Sequence, residues 1–209
     1  AQVARVTNMD DADVTDLAEL RAAHKNDFQA EGTKLTLLPF LVRAVIAALK
    51  AHPVVNASLD MDNGEVIYKE YVNVGIAVDS DRGLVVPVIR NAGGMSIADL
   101  AAAIDRLAEK VRSGDFDVGD LRGGTFTVTN LGSVGGQYAT PIVNYPESAV
   151  LLSGRAKQRP VVRDGRVVVR TILPLSLSYD HRIIDGAEAG RFLNDVIDML
   201  EDPPRLLMR

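Results

Sequence analysis

No cysteine occurs in these 209 residues. That excludes disulfide staples, thiolate nucleophiles and zinc–thiolate sites, and it suits a reducing compartment. Long apolar runs are missing too. The longest candidate, residues 35–49, is interrupted by Pro39 and Arg43 and falls short of the roughly 20 residues a membrane span requires. There is no basic tract, and a net charge of −5 argues against a nucleic-acid partner. The chain has no Gly-x-Ser-x-Gly elbow and no His-Glu-x-x-His, so serine hydrolases and zinc proteases find no support. Its glycine-rich stretch, Leu131-Gly-Ser-Val-Gly-Gly136, lacks the Gly-Lys-Ser/Thr of a P-loop. No metal site is expected.

What is present describes an ordinary globular chain, 47% hydrophobic and 24% charged. At this length a single core can bury roughly 70% of the surface that the unfolded chain exposes. The opening Ala1-Gln2-Val3-Ala4-Arg5 has the features of neither a signal nor a transit peptide. It starts inside strand-like sequence, so the chain is expected to be a fragment of a longer one.

Residues 3–9 read as a strand. Asp13-Val-Thr-Asp16 has the spacing of a capping box, opening a helix to about Ala30 that Gly32 ends, with Val14, Leu17, Leu20 and Phe28 inward. Residues 38–49 read as a second helix, with Pro39 tolerated in its first turn and Pro53 as its stop. Residues 55–59, 65–68, 72–78 and 84–89 are strand-like, punctuated by the turn sequences Asp62-Asn63-Gly64 and Asp81-Arg82-Gly83. Ser96-Ile-Ala-Asp99 is another capping box, and Ile97, Leu100, Ile104, Leu107 and Val111 follow at helical spacing. Residues 123–129, 149–153 and 172–179 read as strands. Asp164-Gly165 is the strongest hairpin signal. A last helix should cover residues 186–200. Helices and strands mix without strict βαβ alternation, which predicts one α+β domain with a mixed or antiparallel sheet.

The three histidines differ in setting. His24 sits among charged helical neighbours and is expected at the surface. His52 ends a helix, where an imidazole can meet the C-terminal dipole. His181 follows the alternating strand Leu175-Ser-Leu-Ser-Tyr179, between Asp180 and Arg182 and four residues before Asp185-Gly186. A strand end that feeds a loop is a common rigid support for a catalytic group. Structural roles are equally open on spacing alone: Asp185-x-x-Glu188 has capping-box spacing, and Asp180 and Arg182 could pair.

Asp180-His-Arg-Ile-Ile-Asp-Gly186 resembles the signature that closes the catalytic domain of dihydrolipoamide acyltransferases, the E2 components of 2-oxo acid dehydrogenase complexes. Thr125-Phe-Thr-Val-Thr-Asn-Leu-Gly132, Ala139-Thr-Pro-Ile-Val-Asn144 and Pro146-Glu-Ser-Ala-Val150 resemble further stretches of that family. So do Asn73-Val-Gly-Ile-Ala-Val78, Gly83-Leu-Val-Val-Pro-Val88 and Leu200-Glu-Asp-Pro203. The resemblance spans essentially residues 1–209, in order, as a single acyltransferase catalytic domain.

That resemblance implies a chloramphenicol acetyltransferase-like fold, a mixed sheet flanked by helices, in a trimer with active sites between subunits. It implies transfer of an acyl group between the thiols of dihydrolipoamide and coenzyme A. A thiol with a pKa of roughly 8.5 is little ionised at neutral pH, and an imidazole is a suitable base for it. His181 would take the thiol proton and return it to the leaving sulfur. Thr129 would donate to the oxyanion of the tetrahedral intermediate, although Thr125 and Thr127 share its face by alternation. Asp185 would hold the site together. Arg21 would meet coenzyme A phosphates, and Ser178 and Leu151 would line the coenzyme A channel.

By the same resemblance, trimers assemble into cores of 24 or 60 chains, and the apolar cluster Leu206-Leu-Met208 would plug a pocket on the next trimer. The lipoyl group would arrive on a separate lipoyl domain. That domain and the one binding the dehydrogenase (E1) and dihydrolipoamide dehydrogenase (E3) partners are absent from these residues. Gly132-Ser-Val-Gly-Gly-Gln137 and Arg163-Asp-Gly-Arg166 look most like pyruvate-complex members, which implies acetyl transfer. Succinyl- or branched-chain-acyl transfer and a catalytically inactive structural core subunit are the alternatives. The compartment implied is a bacterial cytoplasm or a mitochondrial matrix.

Overall fold

The structure, a computed structural model, describes residues 4–80, 83–132 and 134–208. Val3, the Asp81-Arg82 part of one expected turn and Ser133 of the glycine-rich loop lie outside the described residues.

The first strand is longer than the apolar pattern predicts. β1 (Arg5–Asp13) pairs antiparallel along its whole length with β10 (Arg166–Asp180). The expected capping box at Asp13 does not form. α1 (Thr15–Ala30) has Val14 at its N-cap, with no side-chain hydrogen bond there. Asp13 ends the strand instead, where its carboxylate accepts from the Thr15 hydroxyl at 2.7 Å and from Arg170 at 2.7 Å and Arg163 at 3.1 Å. Asp16 also turns to Arg170, at 3.0 Å. One oxygen of Asp13 still accepts the Thr15 N–H at 3.2 Å, while cations on β10 and its hairpin partner take the other oxygen and draw Asp16 away from the cap.

α2 (Leu38–Ala51) begins with Pro39 in its first turn, and Pro53 opens a short 3-10 turn that replaces the start of an expected strand. β2 (Ala57–Asp60) and β3 (Glu65–Tyr68) form a separate two-stranded ribbon. β4 (Val74–Ser80) is followed by β5 (Gly83–Val85) and β6 (Val88–Ile89). These two replace one expected strand, because Pro87 has no N–H for the ladder; its carbonyl still accepts from Ile76. The capping box at Ser96 is complete and starts α3 (Ile97–Arg112).

β7 (Phe126–Asn130) and β8 (Ala149–Ser153) run parallel to each other, and β7 runs parallel to β4. β9 (Lys157–Arg163) returns into β10 through Asp164 and Gly165, both at positive φ, the geometry an Asp-Gly hairpin turn demands. The main sheet has the order β1-β10-β8-β7-β4-β5, with β9 beside β10 and β6 beside β4. It is a mixed sheet in an α+β fold, as expected.

α4 (Gly186–Glu201) lies against β1 and α2, and a short α5 (Pro203–Leu207) folds back onto it. Phe192, Val196 and Leu200 of α4 meet Leu41, Val45 and Leu49 of α2 and Leu175, Leu177 and Tyr179 of β10 in the core. Each such side chain contributes roughly 1.5–3 kcal/mol by burial. On the opposite face of β10, Ser176 and Ser178 are also buried. The 131–148 segment reaches that face through a bond from Ala139 N–H to Ser176 Oγ.

Candidate active site

The loop from β10 to α4 is built as a rigid bracket. Asp180 is buried and grips Arg182 with two carboxylate oxygens, at 2.9 Å to Nε and 2.5 Å to Nη2. Its carbonyl accepts the N–H groups of Ile183 and Ile184, and Ile184 anchors the turn in the core. His181 rides on this bracket. Its N–H bonds Ala4 O at 2.8 Å, its ring lies 5.8 Å from that of Tyr179, and the side chain is exposed. Among the described residues neither of its ring nitrogens has a hydrogen-bond partner.

Asp185 is the N-cap of α4, accepting Glu188 N–H at 2.8 Å. That backbone bond is the main cause holding its carboxyl below the usual range, and the charge of His181 lowers it further. Only half of the expected capping box is made. The Glu188 side chain does not reach back to the cap but bonds His52 Nδ1 at 2.8 Å. His52 is buried, and its Nε2 meets Asp195 at 2.9 Å. Burial pulls its pKa down, but the hydrogen bonds to Asp195 and Glu188 outweigh that and raise it. This paired imidazole was not legible as such. The one signal is a Glu, a Phe and an Asp at positions 188, 192 and 195, spacing that puts all three on one face of α4.

Thr125, Thr127 and Thr129 share one face of the β7 segment, yet only one hydroxyl is uncommitted. Thr125 Oγ1 bonds the backbone of Asn73. Thr127 Oγ1 donates to Glu147 at 2.6 Å. Thr129 Oγ1 has no partner among the described residues and borders a cleft of about 540 Å³ with Ala77, Val78, Leu84, Ile104 and Ala108. Glu147, named from the sequence only inside a family-like stretch and given no role there, is buried, and that burial pushes its carboxyl up to about 7.

Arg21 stands in a second cleft of about 510 Å³ with Lys25, Lys34, Thr33, Gln29 and Asp105. Three cations against one carboxylate make it anion-attracting. A smaller cleft along Thr36, Leu37 and Leu38 lies between the two, sharing Leu38 and Asn130 with the cleft of Thr129. The 33–38 segment thus connects a basic end to the free hydroxyl.

Two expected channel residues lie inside the subunit. Leu151 is fully buried at the centre of the sheet, and Ser178 is fully buried with its Oγ 2.6 Å from that of Thr7. Both faces of β8 and β10 are covered here within the single chain.

His181 and Thr129 are not together in one chain. Thr129 pairs with Leu152, and Leu152 with Ser176. Two strand spacings and five residues separate Thr129 from His181, about 20 Å by ordinary strand dimensions. Among the described residues there is no cluster fit to hold a metal ion, and no helix is long and apolar enough to cross a membrane.

This scaffold is that of an acyltransferase fold: the 2-oxoacid dehydrogenases acyltransferase (catalytic domain) family model matches residues 1–208, and the chain belongs to that family. It is 45% identical over 203 residues to the dihydrolipoyllysine-residue acetyltransferase component of the pyruvate dehydrogenase complex of Staphylococcus epidermidis. That match covers 97% of this chain and 47% of the relative, so the chain spans about half the length of the curated relatives it matches. Among solved structures, dihydrolipoamide acetyltransferase of Azotobacter vinelandii superposes with a TM-score of 0.94 at 45% identity, over 99% of this chain and 85% of that one. That structure concerns the catalytic roles of a serine, a histidine 52 residues later and an asparagine four residues beyond. The cubic core of a pyruvate dehydrogenase complex gives 0.94 at 44% identity, over 99% and 85%. A chloramphenicol acetyltransferase, 17% identical over 95% and 89%, shares the fold at a TM-score of 0.61.

Proposed function

We propose that this chain is the catalytic core of a dihydrolipoamide acetyltransferase, which moves an acetyl group between the dihydrolipoamide thiol and coenzyme A. One observation carries the reading. Thr129, His181 and Asp185 stand at the same two intervals as the serine, histidine and asparagine of the Azotobacter enzyme, on a backbone that superposes with it.

In this mechanism His181 takes the proton from the attacking thiol as sulfur adds to the thioester carbonyl, and returns it to the departing sulfur. Its exposed ring, with both nitrogens unengaged, suits a group that must meet substrate. The Thr129 hydroxyl, alone of its three neighbours in having no bond, donates to the oxyanion. Asp185 fixes the loop by capping α4 and sets a negative charge beside the imidazole. Arg21, with Lys25 and Lys34, takes the phosphates of coenzyme A. Its pantetheine arm then follows the 33–38 segment towards Thr129.

The separation of His181 from Thr129 within one chain supports a site built between two subunits of a homotrimer. Such trimers would join into a core of 24 or 60 chains, with the cubic form supported by the pyruvate dehydrogenase core that this fold matches. The acyl group would arrive on a lipoyl domain carried elsewhere in the parent protein, from a dehydrogenase, and dihydrolipoamide dehydrogenase would reoxidise the lipoyl group. The bacterial relatives support a bacterial cytoplasm.

The test is acyl transfer to dihydrolipoamide from acetyl-, succinyl- and isobutyryl-coenzyme A. A clear preference for acetyl is expected. Preference for either other donor would reassign the substrate, and no turnover with any donor would leave a structural core subunit as the reading.

A further inference from the structure

His52 is far from the reacting residues in sequence and caps the C-terminus of α2, yet it touches the helix that the catalytic loop enters. Its two ring nitrogens meet Glu188 at 2.8 Å and Asp195 at 2.9 Å, and the edge of Phe192 closes the third side with ring centroids 5.9 Å apart. An imidazole flanked by two carboxylates donates from both nitrogens, which requires the cation. Glu188 is the residue whose backbone N–H is held by Asp185. Its second oxygen pairs with Arg191 at 2.6 Å. Among the described residues, Glu188 and Asp195 are the charges acting on His52, and Arg191 acts on it only through Glu188.

We propose that His52 is a positioning residue for the acyl-transfer site, a buried imidazolium strut that pins the first turn of α4 and so holds Asp185 at its place beside His181. This rests on the reading of His181 as the base. The strut joins two helices that otherwise meet through apolar side chains, which set a distance but allow sliding. One charge-assisted hydrogen bond in the first turn of α4, at Glu188, and a second about two turns further on, at Asp195, fix the rotation and register of that helix. With the strut gone, the cap and its negative charge drift from His181, and a positive charge on that imidazole loses its nearby support.

The experiment compares His52→Gln and the paired replacement H52L/E188M with the unaltered full chain. The paired replacement swaps buried charge for apolar volume and should remain folded. Carbethoxylation by diethyl pyrocarbonate, mapped peptide by peptide, reports the neutral fraction of each histidine, and exposed His24 is the internal reference. At pH 6 the rate of His181 relative to His24 should rise about threefold in both variants. His52→Gln loses a cation alone, which without movement would slow the His181 rate, so a rise in that variant separates positioning from bulk charge, whereas H52L/E188M removes a carboxylate together with the cation. Turnover should fall about tenfold in kcat with KM for acetyl-coenzyme A within twofold. An unchanged or slower His181 rate in folded H52L/E188M overturns the proposal. If the unaltered chain has no acyltransferase activity while the His181 rate still rises in the variants, the strut stands and the functional reading fails.

Discussion

Asp185 accepts the backbone N–H of Glu188 at 2.8 Å, so the aspartate four residues after His181 is the cap of α4 as well as a candidate member of the site. The two roles separate by substitution. Asp185→Asn keeps an oxygen for the cap and removes the charge; Asp185→Ala removes both. The Ala variant should unfold at a lower denaturant midpoint, having lost the cap, while Asn stays near the parent. Both should retain measurable acyl transfer, with Ala the slower.

His181→Ala should abolish acetyl transfer while leaving the assembly intact. Loss of a general base typically costs roughly 10²–10⁴-fold, and the readout is turnover with acetyl-coenzyme A at unchanged sedimentation. Near-normal turnover would refute the mechanism.

Thr129→Val should lower kcat by roughly 10²–10³-fold, as expected for one oxyanion donor, and Thr129→Ser should recover most of it. Thr127→Val should act differently, through stability, because its hydroxyl serves Glu147. A kcat effect at Thr127 without any at Thr129 would reverse the assignment.

Glu147 and Asp13 give opposite pH signatures. Glu147 is raised from 4.5 to about 7 in the fold, with burial the largest cause. Its cost therefore grows as pH rises from about 4.5 to 7, when the unfolded chain is ionised and the fold resists ionisation. Glu147→Gln should stabilise the protein at pH 8 by about 2 kcal/mol and have little effect at pH 4. Asp13 is lowered from 3.8 to about 2; burial opposes this, but the bonds from Thr15, Arg170 and Arg163 prevail. Its contribution is present above about pH 4 and lost as pH falls towards 2. With one guanidinium half-exposed, Asp13→Asn should cost about 1–2 kcal/mol at pH 7. Urea titrations across this range would show either slope absent if the assignment is wrong.

The C-terminal apolar cluster divides. Leu206 is buried in its own subunit, whereas Leu207 and Met208 are exposed. Leu206→Ala should therefore cost about 2–4 kcal/mol of fold stability. Leu207→Asp with Met208→Asp should leave the fold intact and yield trimers in analytical ultracentrifugation. Persistence of a large particle in that double variant would remove these two residues from assembly.

Signals confined to a few residues were readable. Asp164-Gly165 makes its hairpin because both positions take positive φ, and Ser96 caps its helix because both partners lie within one turn. Signals that depend on distant neighbours were not. Asp13 looked like a helix cap until Arg163 and Arg170 arrived from the far hairpin. His52 meets carboxylates 136 and 143 residues away. The burial of Leu151 and Ser178 was not readable, because alternation says which residues share a face, not which faces are both covered. Alternation likewise put Thr125, Thr127 and Thr129 together; the resemblance chose Thr129, and the tertiary partners of the other two leave its hydroxyl the unengaged one among the described residues.

β10 pairs with β9 from Arg166 to Ile172 and with β1 from Ile172 to Asp180, and it ends one residue before His181. Fifteen residues of one strand thus behave as a ruler with the histidine at its tip. Side chains alternate with period two, so a single inserted or deleted residue anywhere along it would turn Leu175, Leu177 and Tyr179 out of the core or move His181 off its bracket. Between Ile172 and Asp180 one apolar side chain can replace another of like volume, but the strand cannot change length by one residue without this cost.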